Sequence, residues 1–186
     1  MEVEFKNPKI YLITGLARHG KDSIASLLTK FYEENNKKVI YSRAGKYIRY
    51  YVMEMTDWDG SEETKPRELL NQIGTDIIRN KLNKSEMLLQ RQNDDLEIYS
   101  YFYDAIIVPD IRFPREIEAI KEKFNNVITI NVLRLNFDSD LTLTEKNHII
   151  ENSLQDYDDY DYKIINTTLE KLASDVKEIY LKEEHQ

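Results

Sequence analysis

A five-stranded parallel β-sheet with helices on both faces, an α/β fold, is what this 186-residue chain predicts. Three observations carry that expectation. Short apolar runs at residues 10–14, 39–42, 105–109, 127–133 and 162–166 have the length and composition of buried strands. Segments with helical apolar spacing separate them, and strands joined through helices pair in parallel. The first run also leads straight into a glycine-bounded loop and a helix, the strand–loop–helix order of a phosphate-binding fold of the P-loop type.

That loop reads Gly15-Leu-Ala-Arg-His-Gly20-Lys21-Asp22-Ser23. Backbone N–H groups converge on phosphate oxygens only where side chains do not intrude, so glycine suits both bends. A helix starting near Lys21 aims its unpaired N–H groups and positive dipole end at the same anion. Lys21 supplies a mobile positive charge for the β- and γ-phosphates of a nucleotide. The residue after such a lysine is ordinarily Ser or Thr; here it is Asp22, with Ser23 one place later. A carboxylate beside a triphosphate is repelled unless a cation stands between them. Asp22 is therefore a candidate for the magnesium shell, acting through water, and Ser23 for the α-phosphate or the helix start. The alternative is that both glycines are turn residues and Asp22 is a plain N-cap.

Composition sets limits. One compact domain covering residues 1–186 is the simplest organisation, because no repeat, low-complexity segment or linker divides the chain. Net charge is −8 and the pI is near 5.0. That excludes non-specific binding to nucleic-acid polymers or anionic membranes, which draws on clustered Lys and Arg. There is no Cys, hence no disulfide and no thiolate metal site. The first residues carry acids and no apolar run, and no stretch approaches membrane-spanning length, so a cytoplasmic protein is expected.

Each element has its own signal. A helix is expected from Asp22 to about Asn35 with Ile24, Leu27, Leu28 and Phe31 on one face. The strand from Val39 to Ser42 ends beside Arg43, on the side of a parallel sheet where ligands bind. Ile48, Tyr51, Val52 and Met55 mark a helix over 44–56. Lys65-Pro66 opens another, with Leu69, Leu70, Ile73, Ile77 and Ile78 inward. Gly74 within it costs about 1 kcal/mol relative to Ala, which points to close packing or a ligand at that turn. Residues 84–100 predict a largely solvated helix. Helices are also expected over 115–124, over 144–154 and over 168–183, the last with Leu169, Leu172, Val176, Ile179 and Tyr180 inward.

Asp110 stands at the end of an apolar strand, where a second acidic residue beside a P-loop holds magnesium through water or orients the attacking oxygen. Its alternative is a turn residue. Arg112 would enter the same cleft and clamp a phosphate through its planar fork, or else pair with Asp110 or Glu116. Arg67 and Arg79 share one helical segment. Arg134 follows the fourth strand and precedes a polar stretch suited to a mobile lid. His19, His148 and His185 share no metal-ligating spacing; His19 is expected to offer its backbone N–H rather than its ring. Asp156, Asp158, Asp159 and Asp161 read as a solvated acidic loop, since no Gly turn or terminal Glu follows.

These motifs together resemble one family. The loop through Asp22-Ser23 resembles the variant P-loop of phage and bacterial deoxynucleoside monophosphate kinases. Lys65-Pro-Arg-Glu-Leu-Leu-Asn-Gln-Ile-Gly-Thr-Asp76 with Arg79 is similar to that family's middle segment, and Pro109-Asp-Ile-Arg-Phe-Pro-Arg-Glu116 to its acidic–arginine motif. His148-Ile-Ile-Glu-Asn-Ser-Leu154 and Asp161-Tyr-Lys-Ile-Ile-Asn166 are similar to its lid and last strand. Ser23 stands where Thr is common, Arg115 where Asn is common, and residues 80–100 have no recognised counterpart. Animal phosphomevalonate kinases resemble the same set.

The resemblance implies a nucleoside monophosphate kinase-like fold with an acceptor-binding helical region at about 43–100 and a lid at about 136–160. It implies ATP and magnesium as cofactors and transfer of the γ-phosphoryl to a small phosphorylated acceptor, most simply a deoxynucleoside monophosphate. Gly15, Arg18, Gly20, Lys21, Asp22 and Ser23 are the expected nucleotide-binding residues, and Asp22 and Asp110 the expected magnesium residues. Arg43, Arg67, Gln72, Arg79 and Arg112 are expected to hold the acceptor, with Lys21, Asp22, Asp110 and Arg134 as the catalytic set. A homodimer is the candidate assembly. The rival readings are a kinase for a non-nucleotide phosphate such as phosphomevalonate, and a nucleotide-binding regulator without efficient turnover.

Overall fold

The structure is a computed structural model that describes residues 4–135, 154 and 156–185. The expected helix over 144–154, His148 and most of the expected lid lie outside the described residues. The chain forms two compact units, residues 1–42 with 96–186, and residues 43–95.

The first unit holds one parallel sheet. Strands β1 (Lys9–Thr14), β2 (Val39–Tyr41), β3 (Ala105–Val108), β4 (Val127–Leu133) and β5 (Tyr162–Ile165) run in the order β2-β3-β1-β4-β5. β1 lies at the centre, with β3 and β4 as its parallel neighbours. Side chains alternate across a strand, so β1 feeds both faces of the sheet. Tyr11 and Ile13 join one core with Ile24 and Leu28 of helix α1 (Lys21–Glu34), and with Leu172, Val176 and Tyr180 of a C-terminal helix (Leu169–Glu184). Ile10 and Leu12 join the other, with Ile106, Val108, Ile111, Ile117 and Ile120. Ile117 and Ile120 belong to a helix over Pro114–Lys123, whose Pro at the first turn gives up no needed N–H. Burying both faces is why these strands read as nearly continuous apolar runs.

The far end of the C-terminal helix is tied down by polar groups. The Tyr32 hydroxyl donates to Glu184 at 3.0 Å and shares a hydrogen bond with the Tyr11 hydroxyl at 2.9 Å, while Lys37 pairs with Glu184. Tyr162 donates to Glu183, which also faces Lys9 at 3.6 Å. Burial pushes the phenols of Tyr11 and Tyr32 well above the usual range, so both remain neutral donors.

The second unit begins with α2 (Gly45–Met55) and α3 (Arg67–Asn71). α3 widens without a break into a π-helix over Gln72–Lys81, a form most often found near functional sites. The expected helix from residue 66 is thus present but changes its winding. Val52, Trp58, Ile73 and Ile78 make its core. Gly74 is explained by close packing: a Cβ there would lie 2.7 Å from Ile48 Cδ1. Helix α4 (Ser85–Tyr99) starts in this unit and ends in the first. It is less solvated than expected, because Leu88, Leu89, Gln92 and Leu96 are buried at helical spacing. With α5 (Pro114–Lys123) and α6 (Leu169–Glu184) the helices are complete among the described residues.

Two inward assignments, Ile77 and Leu169, fail, and Met55 of the α2 pattern is exposed as well. Met55, Ile77 and Leu169 are exposed by 63%, 39% and 71%. Met55 closes α2, and Leu169 opens α6 directly after its Thr168 cap, positions too close to a helix end to be covered. Ile77 lies in the π-wound turns, where the spacing of an α-helical stripe no longer holds.

Candidate active site

The loop after β1 is shaped by two glycines with positive φ. Gly15 has φ +143° and Gly20 has φ +116°, and Gly20 is the N-cap of α1. A Cβ at Gly15 would stand 2.4 Å from the Val132 carbonyl oxygen, and one at Gly20 would stand 2.6 Å from Asn166 Nδ2. The loop is therefore pressed against the ends of β4 and β5 at both bends. Arg18 is also left-handed, at φ +64°.

Two further bonds fix the loop. His19 is buried, and its Nδ1 accepts the backbone N–H of Arg134 at 3.0 Å. Its backbone carbonyl accepts from Asn166 Nδ2 at 2.9 Å. The ring, not only the backbone, is thus in use, contrary to the expectation for His19. An accepting Nδ1 places the ring proton on Nε2. Lys21 is half-buried rather than exposed, and its Nζ donates to the carbonyls of Gly15 at 2.7 Å and Leu16 at 2.9 Å. Asp22 is not the N-cap; it stands in the first turn of α1, beyond Gly20. An acidic residue there still favours the positive end of the helix dipole.

A cavity of about 310 Å³ opens beside the loop, at the carboxyl ends of the central strands. Lys21, Asp110 and Arg112 line it, as does Gly15. Residues from two separate motifs, Lys21 of the loop and Asp110 with Arg112 of the acidic–arginine motif, thus meet at one hollow. The turn carrying Asp110 and Arg112 is shaped by Glu116, whose carboxylate accepts the backbone N–H groups of Arg112 at 2.8 Å and Phe113 at 3.1 Å. Glu116 was, with Asp110, the alternative partner for the Arg112 side chain; the bonds described here are to the backbone of the turn.

Asp22 and Ser23 face a second, more open hollow of about 650 Å³ between the first turns of α1 and α6, which Leu27 and Glu170 also line. Arg134 follows β4, with its backbone bound to the loop as described and its side chain exposed. Arg43, Arg67, Gln72 and Arg79 belong to the second unit. There Arg43 precedes α2, Arg67 opens α3, and Gln72 and Arg79 lie on the π-helix, with Gln72 Nε2 donating to Glu68 at 3.4 Å.

The cavity also has a wall that the motifs did not indicate, made by Asn131, Tyr157, Asp158, Tyr160 and Lys163. A signal for Asn131 was present: Val127–Leu133 alternates apolar residues with Thr129 and Asn131, which is odd for a strand buried on both faces. Asp156, Asp158, Asp159 and Asp161 are all exposed, as the solvated acidic loop predicts, but the segment has a structural tie. Asp161 accepts the backbone N–H of Thr129 at 2.8 Å and its hydroxyl at 2.6 Å, which starts β5 beside β4.

Oxygen donors suit magnesium, which keeps most of its water and needs only one or two carboxylates besides substrate phosphates. Asp110, with one carboxylate oxygen enclosed at the cavity, fits that demand. Among the described residues no group of three or more His, Cys, Asp or Glu forms a dedicated metal cage. No described helix is long and apolar enough to cross a membrane.

A sequence-family model described as deoxynucleotide monophosphate kinase matches residues 52–176. No curated protein matches the chain. Among solved structures, the chain is similar to APS kinase from Mycobacterium tuberculosis in complex with AMPPNP and APS. That likeness has 13% identity, a TM-score of 0.56, and covers 95% of this chain and 98% of that one. Shikimate kinase from Bacteroides thetaiotaomicron is similar at 10% identity and a TM-score of 0.52, over 95% and 98% of the two chains. A sugar kinase from Janibacter sp. is similar at 11% identity and a TM-score of 0.54, over 94% and 95%. At these identities the likeness is one of fold.

Proposed function

The chain belongs to the deoxynucleotide monophosphate kinase family, and on that premise we propose that it transfers the γ-phosphoryl group of ATP, with magnesium, to a deoxynucleoside monophosphate. The observation that carries the reading is the meeting of Lys21, Asp110 and Arg112 at one cavity beside the glycine-bounded loop. Two cationic side chains and an acidic one, at the carboxyl ends of parallel strands, suit a metal-bound polyphosphate better than a neutral ligand.

In this reading the loop N–H groups and the start of α1 bind the β- and γ-phosphates. Lys21 exchanges the carbonyls of Gly15 and Leu16 for phosphate oxygens. Gly15, Arg18, Gly20 and Ser23 shape or line the nucleotide's place, and Asp110 and Asp22 hold magnesium through water. Magnesium held there by Asp110 and Asp22 would supply positive charge to offset that of the phosphate chain. Arg112 holds the acceptor phosphate through its planar fork. Arg134 meets the transferred group. No general base is required, since the acceptor oxygen is already ionised; positioning and charge neutralisation do the catalysis.

A coupled assay with ATP, magnesium and a panel of deoxynucleoside and ribonucleoside monophosphates, phosphomevalonate included, tests this. Turnover with at least one deoxynucleoside monophosphate is expected. Turnover with phosphomevalonate alone would move the assignment to another acceptor, and ATP binding without any turnover would make the protein a regulator.

A further inference from the structure

On one face of the sheet, three neighbouring strands carry a polar row at their carboxyl ends. Thr14 of β1 is in register with Asn131 of β4, and Asn131 with Lys163 of β5. Partners in register share a face, the one that Leu12 and Val108 make apolar further along. Thr14 is fully buried, and Asn131 Nδ2 donates to its hydroxyl oxygen at 3.0 Å. The Thr14 hydroxyl in turn points to the Ile130 carbonyl at 3.4 Å. Over this row lies Tyr160, and Asn131, Tyr160 and Lys163 all line the cavity that holds Lys21, Asp110 and Arg112.

The hydroxyl of Tyr160 is the unusual group. It is enclosed and makes no hydrogen bond of good geometry, although Thr14 and Asn131 stand close enough to act on it as hydrogen-bonding neighbours. Native proteins seldom leave a buried hydroxyl unmade without a use for it. Burial raises the phenol above its usual range, so it stays a donor at neutral pH. The two lysines at the cavity are engaged differently. Lys21 is bound to loop carbonyls and Lys163 to the Asp158 carboxylate. An anion that recruits either lysine replaces a well-made bond, whereas the Tyr160 hydroxyl has no bond of good geometry to give up.

We propose that the Tyr160 hydroxyl, seated by the Thr14–Asn131 pair, is a binding residue that donates to a phosphate oxygen of the substrate in this cavity, with Lys163 as an accompanying positive charge. The inference rests on the phosphoryl-transfer reading above and adds to it a contact from the β4–β5 side. A phosphate oxygen is the acceptor chemistry that three cations around one hollow select. It belongs either to the nucleotide donor or to the monophosphate acceptor.

The test compares wild type with Tyr160→Phe, which removes one oxygen and keeps the ring. Thermal melting is read alongside calorimetric affinities for magnesium-ATP, magnesium-ADP and the monophosphate found best in the panel. Losing a hydrogen bond to a charged oxygen is expected to weaken one of these ligands about 10-fold or more, with the melting temperature unchanged or higher. Weaker ATP with unchanged ADP assigns the γ-phosphate; equal weakening of both assigns the inner phosphates; weakening of the monophosphate alone assigns the acceptor. Unchanged affinity for all three overturns the proposal, and so does a lowered melting temperature with affinities that recover on cooling, since the hydroxyl is then structural. If wild type turns over and Tyr160→Phe matches it in every affinity, only this inference fails. If wild type binds no nucleotide, the phosphoryl-transfer reading fails first.

Discussion

The backbone N–H of Arg134 donates to Nδ1 of His19 at 3.0 Å, across 115 residues of sequence, and so fastens the glycine-bounded loop to the tip of β4. The bond comes from a ring that is 4% exposed, inside a loop that must otherwise stay open to a ligand. Replacing His19 by Leu keeps the bulk but leaves that N–H without its acceptor. A loss of about 1 kcal/mol or more is expected. Urea denaturation of the two proteins measures it, and equal midpoints at equal slope would deny the ring a fastening role.

Gly15→Ala should be severe. The added methyl group would meet the Val132 carbonyl oxygen at 2.4 Å, and φ at +143° is unfavourable for any residue with a Cβ. Over-packing of this kind costs about 1–3 kcal/mol, and the backbone strain adds to it. Melting temperature and nucleotide affinity should fall together. A variant of undiminished stability would mean that β4 yields more readily than its central position suggests.

Lys21→Ala is expected to lower phosphoryl transfer roughly 10²-fold or more, by analogy with losing one preorganised charge contact. Its two bonds to loop carbonyls add a modest structural share, so a small drop in melting temperature should accompany the kinetic loss. Near-normal turnover would remove the loop from the mechanism.

The Asp22 and Arg112 assignments are separable by ligand. Asp22→Asn should raise the magnesium concentration needed for half-maximal rate, and since Gly20 is the cap, helix capping is not altered by the change. Arg112→Lys should weaken acceptor kinetics while ATP affinity without acceptor stays within a few-fold of wild type, because lysine keeps the charge but not the fork. Calorimetry beside initial rates reads both; weakened ATP binding with normal acceptor kinetics would put Arg112 on the donor side.

Asp104 carries a pH dependence of stability. Burial alone would raise its pKa, but the backbone N–H of Lys38 at 2.7 Å and the Lys6 ammonium at 3.1 Å outweigh it, so the carboxyl is held below the usual range. A depressed carboxylate contributes stability that is present above its unfolded pKa, near 4, and is lost as pH falls through the folded value. Asp104→Asn should therefore melt lower than wild type at pH 7. The difference should shrink below about pH 4, and a gap that persists unchanged in acid would assign the effect to packing.

The sheet was legible because both of its faces are buried: five apolar runs separated by helical spacing leave few other arrangements. Lys21, Asp110 and Arg112 were legible because each sits at a strand end or helix start, positions that the chain marks with glycine, proline or a change of period. The Tyr160–Asn131–Lys163 wall was not. Its members are drawn from a strand interior and a polar segment, and only the register of β4 with β1 and β5 makes them neighbours. His19 was misread for a similar reason, since its partner is a backbone N–H that no residue type announces. The π-helix also escaped, because the apolar residues of 69–78 fit an α-helical stripe until Ile77 is found outside.

The clasp of Glu183 and Glu184 on Tyr32, Lys37, Lys9 and Tyr162 has a consequence for synthesis on the ribosome. β1 is the centre of the sheet and is made early, yet β4, β5 and α6, which cover it, are made late. Until residues 127–184 have emerged, Tyr11 and Ile13 lack their neighbours from β4, β5 and α6, and the edge of β1 that pairs with β4 stays open. The second unit has no such wait: all its residues are adjacent in sequence, so its contacts are local and quick to form. Its helices can thus consolidate while the sheet of the first unit is still incomplete.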